Sequence, residues 1–327
     1  PYMCWHEPRP HGGTNSDRKN GCPLSGPGTS RYIQTWWAGA IPWLPQLSDA
    51  GGLKTLVSVE TQDMLDEASN DFFNRDDSEN RARAERDMKA HLGPSPSPMT
   101  LKIALACRKL ASESHAETLA GQVTARAAEG GFWTNSIVGG FTNARRGSIL
   151  RIDEACEVVA GEGIPNPGVS FHMWVYRVRP DVRAIVHTHP PHAAALSMTG
   201  RPLAVAHMDV AMFHDDCAYL PVWPGVPVAN EEGRVISEAL GDKRAILLAN
   251  HGLLTVGQSL EEATYLAIQF ERAARLQILA ESIGKIQLID VAHARDAHDF
   301  LLQDSVVYGT FNAWSEELLR NQPDIRL

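Results

Sequence analysis

The chain has 327 residues with a formal net charge of −9, long enough to bury a sizeable core. Hydrophobic residues make up 43% and charged residues 21%, which is ordinary for a soluble globular protein. The acidic balance argues against a nucleic-acid partner, and no run reaches the roughly 18 apolar residues of a membrane span.

Residues 1–98 differ in composition from the rest and read as a poorly ordered or accessory extension. The opening "PYMCWHEPRPHGGTNSDRKNGCPLSGPGTS" is rich in Pro, Gly and Ser, a composition that resists packing. It carries no signal-peptide pattern and starts at Pro1, as a fragment or a processed product would. "TWWAGAIPWLP" reads as a local aromatic cluster. "NRDDSENRARAERDMKAHLG" lacks a sustained apolar face and predicts a solvated helix or linker. "GPSPSP" at 93–98 marks a boundary. Five scattered cysteines without CxxC spacing predict reduced thiols in a cytoplasmic setting.

From Met99 the pattern becomes regular. Leu101, Leu105 and Leu110 fall at helical spacing, and "TLAGQVTARA" alternates like a strand before Gly130-Gly131. "SILRID" predicts another strand. In "NPGVSFHMWVYRVRP", Asn166 predicts an N-cap, Pro167 the first helical position, and Pro180 the stop. "VRAIVH" predicts a buried strand, followed by a helix over 193–198. "RAILLANHGLLTVG" predicts a near-continuous apolar strand interrupted at Asn250-His251-Gly252. Ser259 and Glu262 predict a capping box opening a long helix striped by Ala263, Leu266, Ala267, Phe270 and Ala274. The tail, 286–327, predicts a docking helix. These elements predict an α/β fold with one core and a mixed, mostly antiparallel sheet flanked by helices.

His187 and His189 stand one residue apart at a strand end, so their side chains share a face. His251 sits at the interruption of a second apolar strand. If those strands are neighbours, three imidazoles converge into a site for one divalent ion, zinc or iron foremost and cobalt or manganese as alternatives, with positions left open for substrate.

"VRAIVHTHPPHAAALS", "RAILLANHGLLTVGQSLEEATYLAIQFERAA" and "RVRPDV" resemble the class II aldolase/adducin family across residues 100–285. The resemblance implies the fuculose-phosphate aldolase fold, His187, His189 and His251 as metal ligands, and a homotetramer with sites between subunits. It also exposes departures. Four residues before His172, where the aldolases carry a catalytic glutamate, stands Gly168. The serines of the family's phosphate pocket are absent, "AGQVTAR" offers Gln122 and Thr124, and Met208 stands where a tyrosine acid is sought. A phosphorylated sugar is therefore disfavoured. "AHMDVAMFHDD" supplies His207, Asp209, His214, Asp215 and Asp216 as a cluster from which an acid or base could come, with Asp209, His214, Asp215 and Asp216 as the catalytic candidates. His172 and His192, with Gln122 and Thr124, are candidates for contacting substrate. Trp133, Phe141, Trp174 and Trp223 offer an apolar lining.

These readings favour a metal-dependent lyase breaking a carbon–carbon bond of a small-molecule substrate by decarboxylation or retro-aldol cleavage. The alternative is a non-haem iron oxygenase of an aromatic 2-oxo acid, after a similar branch of the family. A non-catalytic, adducin-like interaction protein ranks third.

Overall fold

The computed structural model describes residues 75–115, 118–225 and 230–327. The expectations for the Pro/Gly/Ser-rich opening and for the "TWWAGAIPWLP" cluster lie outside the described residues. Helix α1 (Asp77–His91) opens with the Asp76 carboxylate accepting from the Glu79 amide at 2.8 Å and buries none of its residues. It is the solvated helix that its charge pattern predicts.

The body is built on an eight-stranded sheet. Its strands are β1 (Gln122–Arg126), β2 (Phe132–Asn135), β3 (Ile149–Ile152), β4 (Val158–Ala160), β5 (Ala184–Thr188), β6 (Cys217–Leu220), β7 (Ala245–Leu248) and β8 (Gly252–Gly257). They run in the order β4-β3-β2-β1-β5-β8-β7-β6, antiparallel at every step except β6–β7. The fold is mixed α/β, as the pattern of elements predicts. No helix among the described residues is long and apolar enough to cross a membrane.

Helices cover both faces. Ala184, Val186, Ala245 and Leu247 point into one cluster with α2 (Met99–Ser112), α4 (Pro191–Ser197) and α6 (Leu260–Ile283). Ile185, Ile246 and Leu248, one residue out of phase, point into a second cluster with α3 (Val169–Val178) and α5 (Asn230–Leu240). Two buried faces explain why these strands read as solid apolar runs. Each large side chain so buried contributes about 1.5–3 kcal/mol. The C-terminal helices α7 (Val291–Leu301) and α8 (Asp304–Asn321) add Leu301 and Val307, Phe311 and Leu318, respectively, to the first cluster.

Three local expectations are corrected. The apolar run 244–257 is two strands: β7 and β8 form a hairpin pairing Leu248 with Gly252 around Ala249-Asn250-His251, and Asn250 takes a left-handed φ of 55°, a conformation asparagine tolerates. Asn166 is not the N-cap of α3. Its Oδ1 accepts from the Gly168 amide at 3.0 Å and its carbonyl from Val169 at 3.0 Å, making a tight turn before a helix that begins at Val169. At α6 the Ser259 hydroxyl accepts from the Glu262 amide at 3.1 Å, but the Glu262 carboxylate accepts from Gln258, one residue before the cap.

Candidate metal centre

The centre forms where β5 ends and the β7–β8 turn passes beside it. Antiparallel pairing sets His187 against Leu254 and Thr188 against Leu253, so the turn carrying His251 lies next to the last residues of β5. His187 shares the face of Ile185 by strand alternation, and His189 follows on that side. The three rings stack edge to face with centroids 4.6–4.8 Å apart, and their nearest nitrogens all lie within 4.8 Å of one another. Gly252 makes this approach possible, because a Cβ there would fall 2.5 Å from the Thr188 carbonyl and 2.6 Å from His189 Cδ2.

The chemistry of the donors suits a cation. His187 Nδ1 donates to the Leu253 carbonyl at 2.8 Å, which fixes the tautomer and turns the Nε2 lone pair toward His189 Nε2, 2.9 Å away. Burial, reinforced by His251 and His189, drives His187 well below the ordinary imidazole range. Burial likewise lowers His189 and takes His251 to about 4. All three rings are therefore neutral near pH 7, the form in which imidazole ligates a metal.

Beneath the triad, β1 supplies polar groups on the same face. Gln122 pairs across the sheet with His187, and Thr124 with Ile185. The Gln122 side chain is buried with its Oε1 unpartnered among the described residues. It packs on Gly168, where a Cβ would meet Gln122 Nε2 at 2.7 Å. His172 on α3 is fully buried. Its Nδ1 lies 2.8 Å from Thr124 Oγ1, which lies 2.9 Å from the Tyr176 hydroxyl. Its Nε2 has no partner among the described residues, and burial pushes its pKa down to about 3. The Phe171 ring meets both His172 and His187 edge-on, at 4.7 and 4.9 Å. Gln122, Thr124 and His172 are thus brought together with the metal candidates.

His192 is not. Its Nδ1 lies 2.6 Å from Glu271 Oε1, and the same carboxylate accepts from the backbone amides of His192 and Ala193 at 2.9 and 2.8 Å. Glu271 thereby caps α4 and ties the chain just past His189 to α6. The sequence reading missed it, although a carboxylate four residues after Ala267, in the buried stripe of a long helix, was a usable signal. It also missed His115, whose Nδ1 lies 2.9 Å from Thr188 Oγ1, behind the residue separating the two strand-end histidines. A lone histidine after a helix, distant in sequence, carries no such signal.

The 207–216 cluster is dispersed, and none of its candidates joins the triad. Val210–Phe213 anchor that segment in the cluster on the opposite face of the sheet. The Asp209 carboxylate pairs with Arg272 at 3.6 Å. Asp216 precedes β6 at the end away from the hairpin, since Leu220, not Cys217, pairs with Leu248; at strand rise this places it about 13 Å back from Leu220. Asp216 binds Arg244 and the His298 imidazole, the latter at 3.3 Å. Asp215 is exposed and pairs with Arg295 at 3.2 Å, and His214 Nε2 lies 3.5 Å from Asp215. The four aromatic residues do not line one pocket either. Trp133 and Phe141 join the first cluster, Trp174 on α3 packs against Gly233 of α5, and Trp223 is half exposed.

Comparison with known proteins accords with this geometry. Residues 101–278 match the family model described as the class II aldolase and adducin N-terminal domain. A decarboxylase, NovR, of Streptomyces niveus is 29% identical over 59% of this chain and 73% of its own. A 4-hydroxy-3-prenylphenylpyruvate oxygenase/4-hydroxy-3-prenylbenzoate synthase of Streptomyces roseochromogenus subsp. oscitans is 29% identical over 59% and 71%. The 3,4-dihydroxyphthalate decarboxylase of Arthrobacter keyseri is 31% identical over 70% of this chain and 98% of its own. Among solved structures, the L-fuculose 1-phosphate aldolase of Glaciozyma antarctica PI12 superposes with a TM-score of 0.64 at 29% identity, covering 70% of this chain and 92% of that one. The chain belongs to the class II aldolase and adducin family.

Proposed function

We propose that the protein is a metal-dependent carbon–carbon lyase that decarboxylates a non-phosphorylated hydroxy or carbonyl acid, with His187, His189 and His251 as ligands to one divalent ion, zinc or iron. One observation carries the choice of decarboxylation over aldol cleavage: position 168 is a glycine packed on the Gln122 amide. Neither a carboxylate ligand nor a carboxylate base stands there, and a retro-aldol reaction needs a base to remove a hydroxyl proton. Decarboxylation does not. Its carbon–carbon bond breaks with the electron pair left on the substrate carbon, carbon dioxide departs, and a proton then fills that carbon.

A divalent ion held by His187, His189 and His251 would supply Lewis-acid stabilisation of negative charge on a substrate oxygen. The chain's own residues do the rest. Neutral His187 is locked by the Leu253 carbonyl, so its orientation needs no reorganisation on binding. Gln122 Oε1, unpartnered among the described residues, accepts a hydrogen bond from a substrate hydroxyl, and burial around Phe171 and His172 excludes water. Two related proteins named as decarboxylases support this reading.

The test is carbon dioxide release from 3,4-dihydroxyphthalate by the metal-loaded protein, followed by a panel of hydroxylated aromatic acids. A second reading, oxygenation of an aromatic 2-oxo acid, is favoured by the carboxylate-free triad, which leaves coordination positions open, and by the related oxygenase. Oxygen uptake that depends on iron and a 2-oxo acid, without turnover of the acids above, would select it.

A further inference from the structure

We propose that His172 is the hydrogen-bond donor of this site: a neutral imidazole, held as the Nε2–H tautomer by a Tyr176–Thr124 chain, that donates to the substrate oxygen on which negative charge accumulates. The assignment rests on the lyase reading for the identity of that oxygen. The tautomer itself rests on the proton count of three buried groups.

The Tyr176 hydroxyl, Thr124 Oγ1 and His172 Nδ1 form a line with separations of 2.9 and 2.8 Å. Thr124 and His172 are fully buried and Tyr176 is 3% exposed, so bulk water cannot repair a misplaced proton. The tyrosine has one proton, and Thr124 Oγ1 is the one acceptor given for it among the described residues. If Tyr176 donates to Thr124, then Thr124 donates to His172 Nδ1, and every proton in the line is placed. His172 must then carry its own hydrogen on Nε2. In the reverse direction His172 Nδ1–H donates to Thr124 and Thr124 to Tyr176, which strands the phenolic hydrogen in the interior. The reverse order thus leaves two buried groups unmade, the phenolic hydrogen and the His172 Nε2 lone pair. An arrangement in which Thr124 accepts from both neighbours also leaves two, its own hydrogen and that lone pair. The first direction leaves one, and each unmade group costs about 1–3 kcal/mol, so the first direction prevails.

That direction leaves a single group of the line unpaired among the described residues, the Nε2–H of a fully buried imidazole. Its position suits a substrate at the metal. Thr124 lies on the His187 face of the sheet, two residues from Gln122, the cross-strand neighbour of His187. Phe171 touches both rings. A fixed neutral donor in a dry site strengthens as charge grows on its acceptor, which is how a donor lowers a barrier without binding the ground state tightly. His172 is therefore a catalytic residue, while Thr124 and Tyr176 are positioning residues acting through it.

The experiment uses the 327-residue, zinc-loaded protein labelled with 15N-histidine. Long-range 1H–15N correlation spectra report the tautomer of His172, assigned by its loss in His172→Gln, before and after addition of 3,4-dihydroxybenzoate. We expect an Nε2–H imidazole whose Nε2 resonance moves with the probe. Thr124→Val should scramble the tautomer and Thr124→Ser restore it. An Nδ1–H imidazole in the wild type, or an Nε2 resonance indifferent to saturating probe, overturns the proposal whether or not the protein turns anything over. With 3,4-dihydroxyphthalate as substrate, His172→Leu should lower kcat by about 10²–10³ at full zinc content, and His172→Gln, which keeps an N–H near the Nε2 position, should recover most of it. Unchanged kcat in His172→Leu also overturns it. A wild type that binds zinc and shows the expected tautomer and probe shift but releases no carbon dioxide counts against the lyase reading alone.

Discussion

Replacing Gly252 with alanine asks whether the close approach of two backbones builds the metal centre. The new Cβ would lie 2.5 Å from the Thr188 carbonyl oxygen and 2.6 Å from His189 Cδ2, where ordinary contact begins at 3.4 Å. The His189 ring must therefore retreat by about 0.8 Å, the difference of those two separations. The Thr188 carbonyl cannot yield freely, because Thr188 is paired with Leu253 in the sheet. Overpacking of this kind costs about 1–3 kcal/mol. A ligand displaced by most of an ångström should weaken the metal by about 10–100-fold, the scale seen when a ligand's support is lost. Zinc affinity by chelator competition, with thermal unfolding in EDTA to isolate the metal-free cost, measures both. A Gly252→Ala protein with wild-type zinc affinity and unchanged Tm would refute the reasoning.

His187→Ala and His251→Ala should each abolish stoichiometric metal while leaving the circular dichroism spectrum intact, and metal analysis of the purified variants decides this. Gly168→Ala should destabilise the protein by crowding Gln122, and Gln122→Ala should relieve most of that cost. A double-mutant cycle by urea unfolding measures the coupling, and strictly additive effects would show that the two side chains do not compete for one space. The Asp216–His298 contact predicts a pH window. Burial raises the Asp216 carboxyl, but hydrogen bonds from His298 and Arg244 outweigh it and hold the group below its ordinary 3.8, so its contribution is lost as pH falls through that lowered value. Its hydrogen bond to Asp216 raises His298 above 6.5, so that contribution is complete below 6.5 and lost as pH climbs through the raised value. Tm plotted against pH should therefore fall on both sides of a plateau between about 4 and 6.5, and Asp216→Asn should flatten the profile.

Much of this was legible in the residues. Buried strands announce themselves by unbroken apolar runs, and three histidines at the ends of such runs converge because β5 and β8 are neighbours. The hairpin inside 244–257 was not legible, because the same apolar composition serves one long strand or two short ones, and only Asn250 and Gly252 mark the turn. The 207–216 cluster misled for a related reason. Charge density in one dimension says nothing about which face of the sheet a segment packs on, and Val210–Phe213 anchor it on the face away from His187. His172 was visible as a histidine in a helix. Its role as a donor depends on Tyr176 and Thr124, which meet it only through packing between α3 and β1.

The hydrogen bond from His187 to the Leu253 carbonyl joins residues 66 positions apart, and on the proposed ligand set that span would decide when a metal could be captured during folding. A chain that has formed β5 but not its pairing with β8 offers two imidazoles and no third. The full ligand set arrives with a long-range strand pairing, the kind of contact whose loop-closure cost delays its formation. Tight metal capture thus reports completion of the sheet's centre. Metal added to a refolding chain should slow unfolding more than it speeds folding, acting as a latch on the finished sheet.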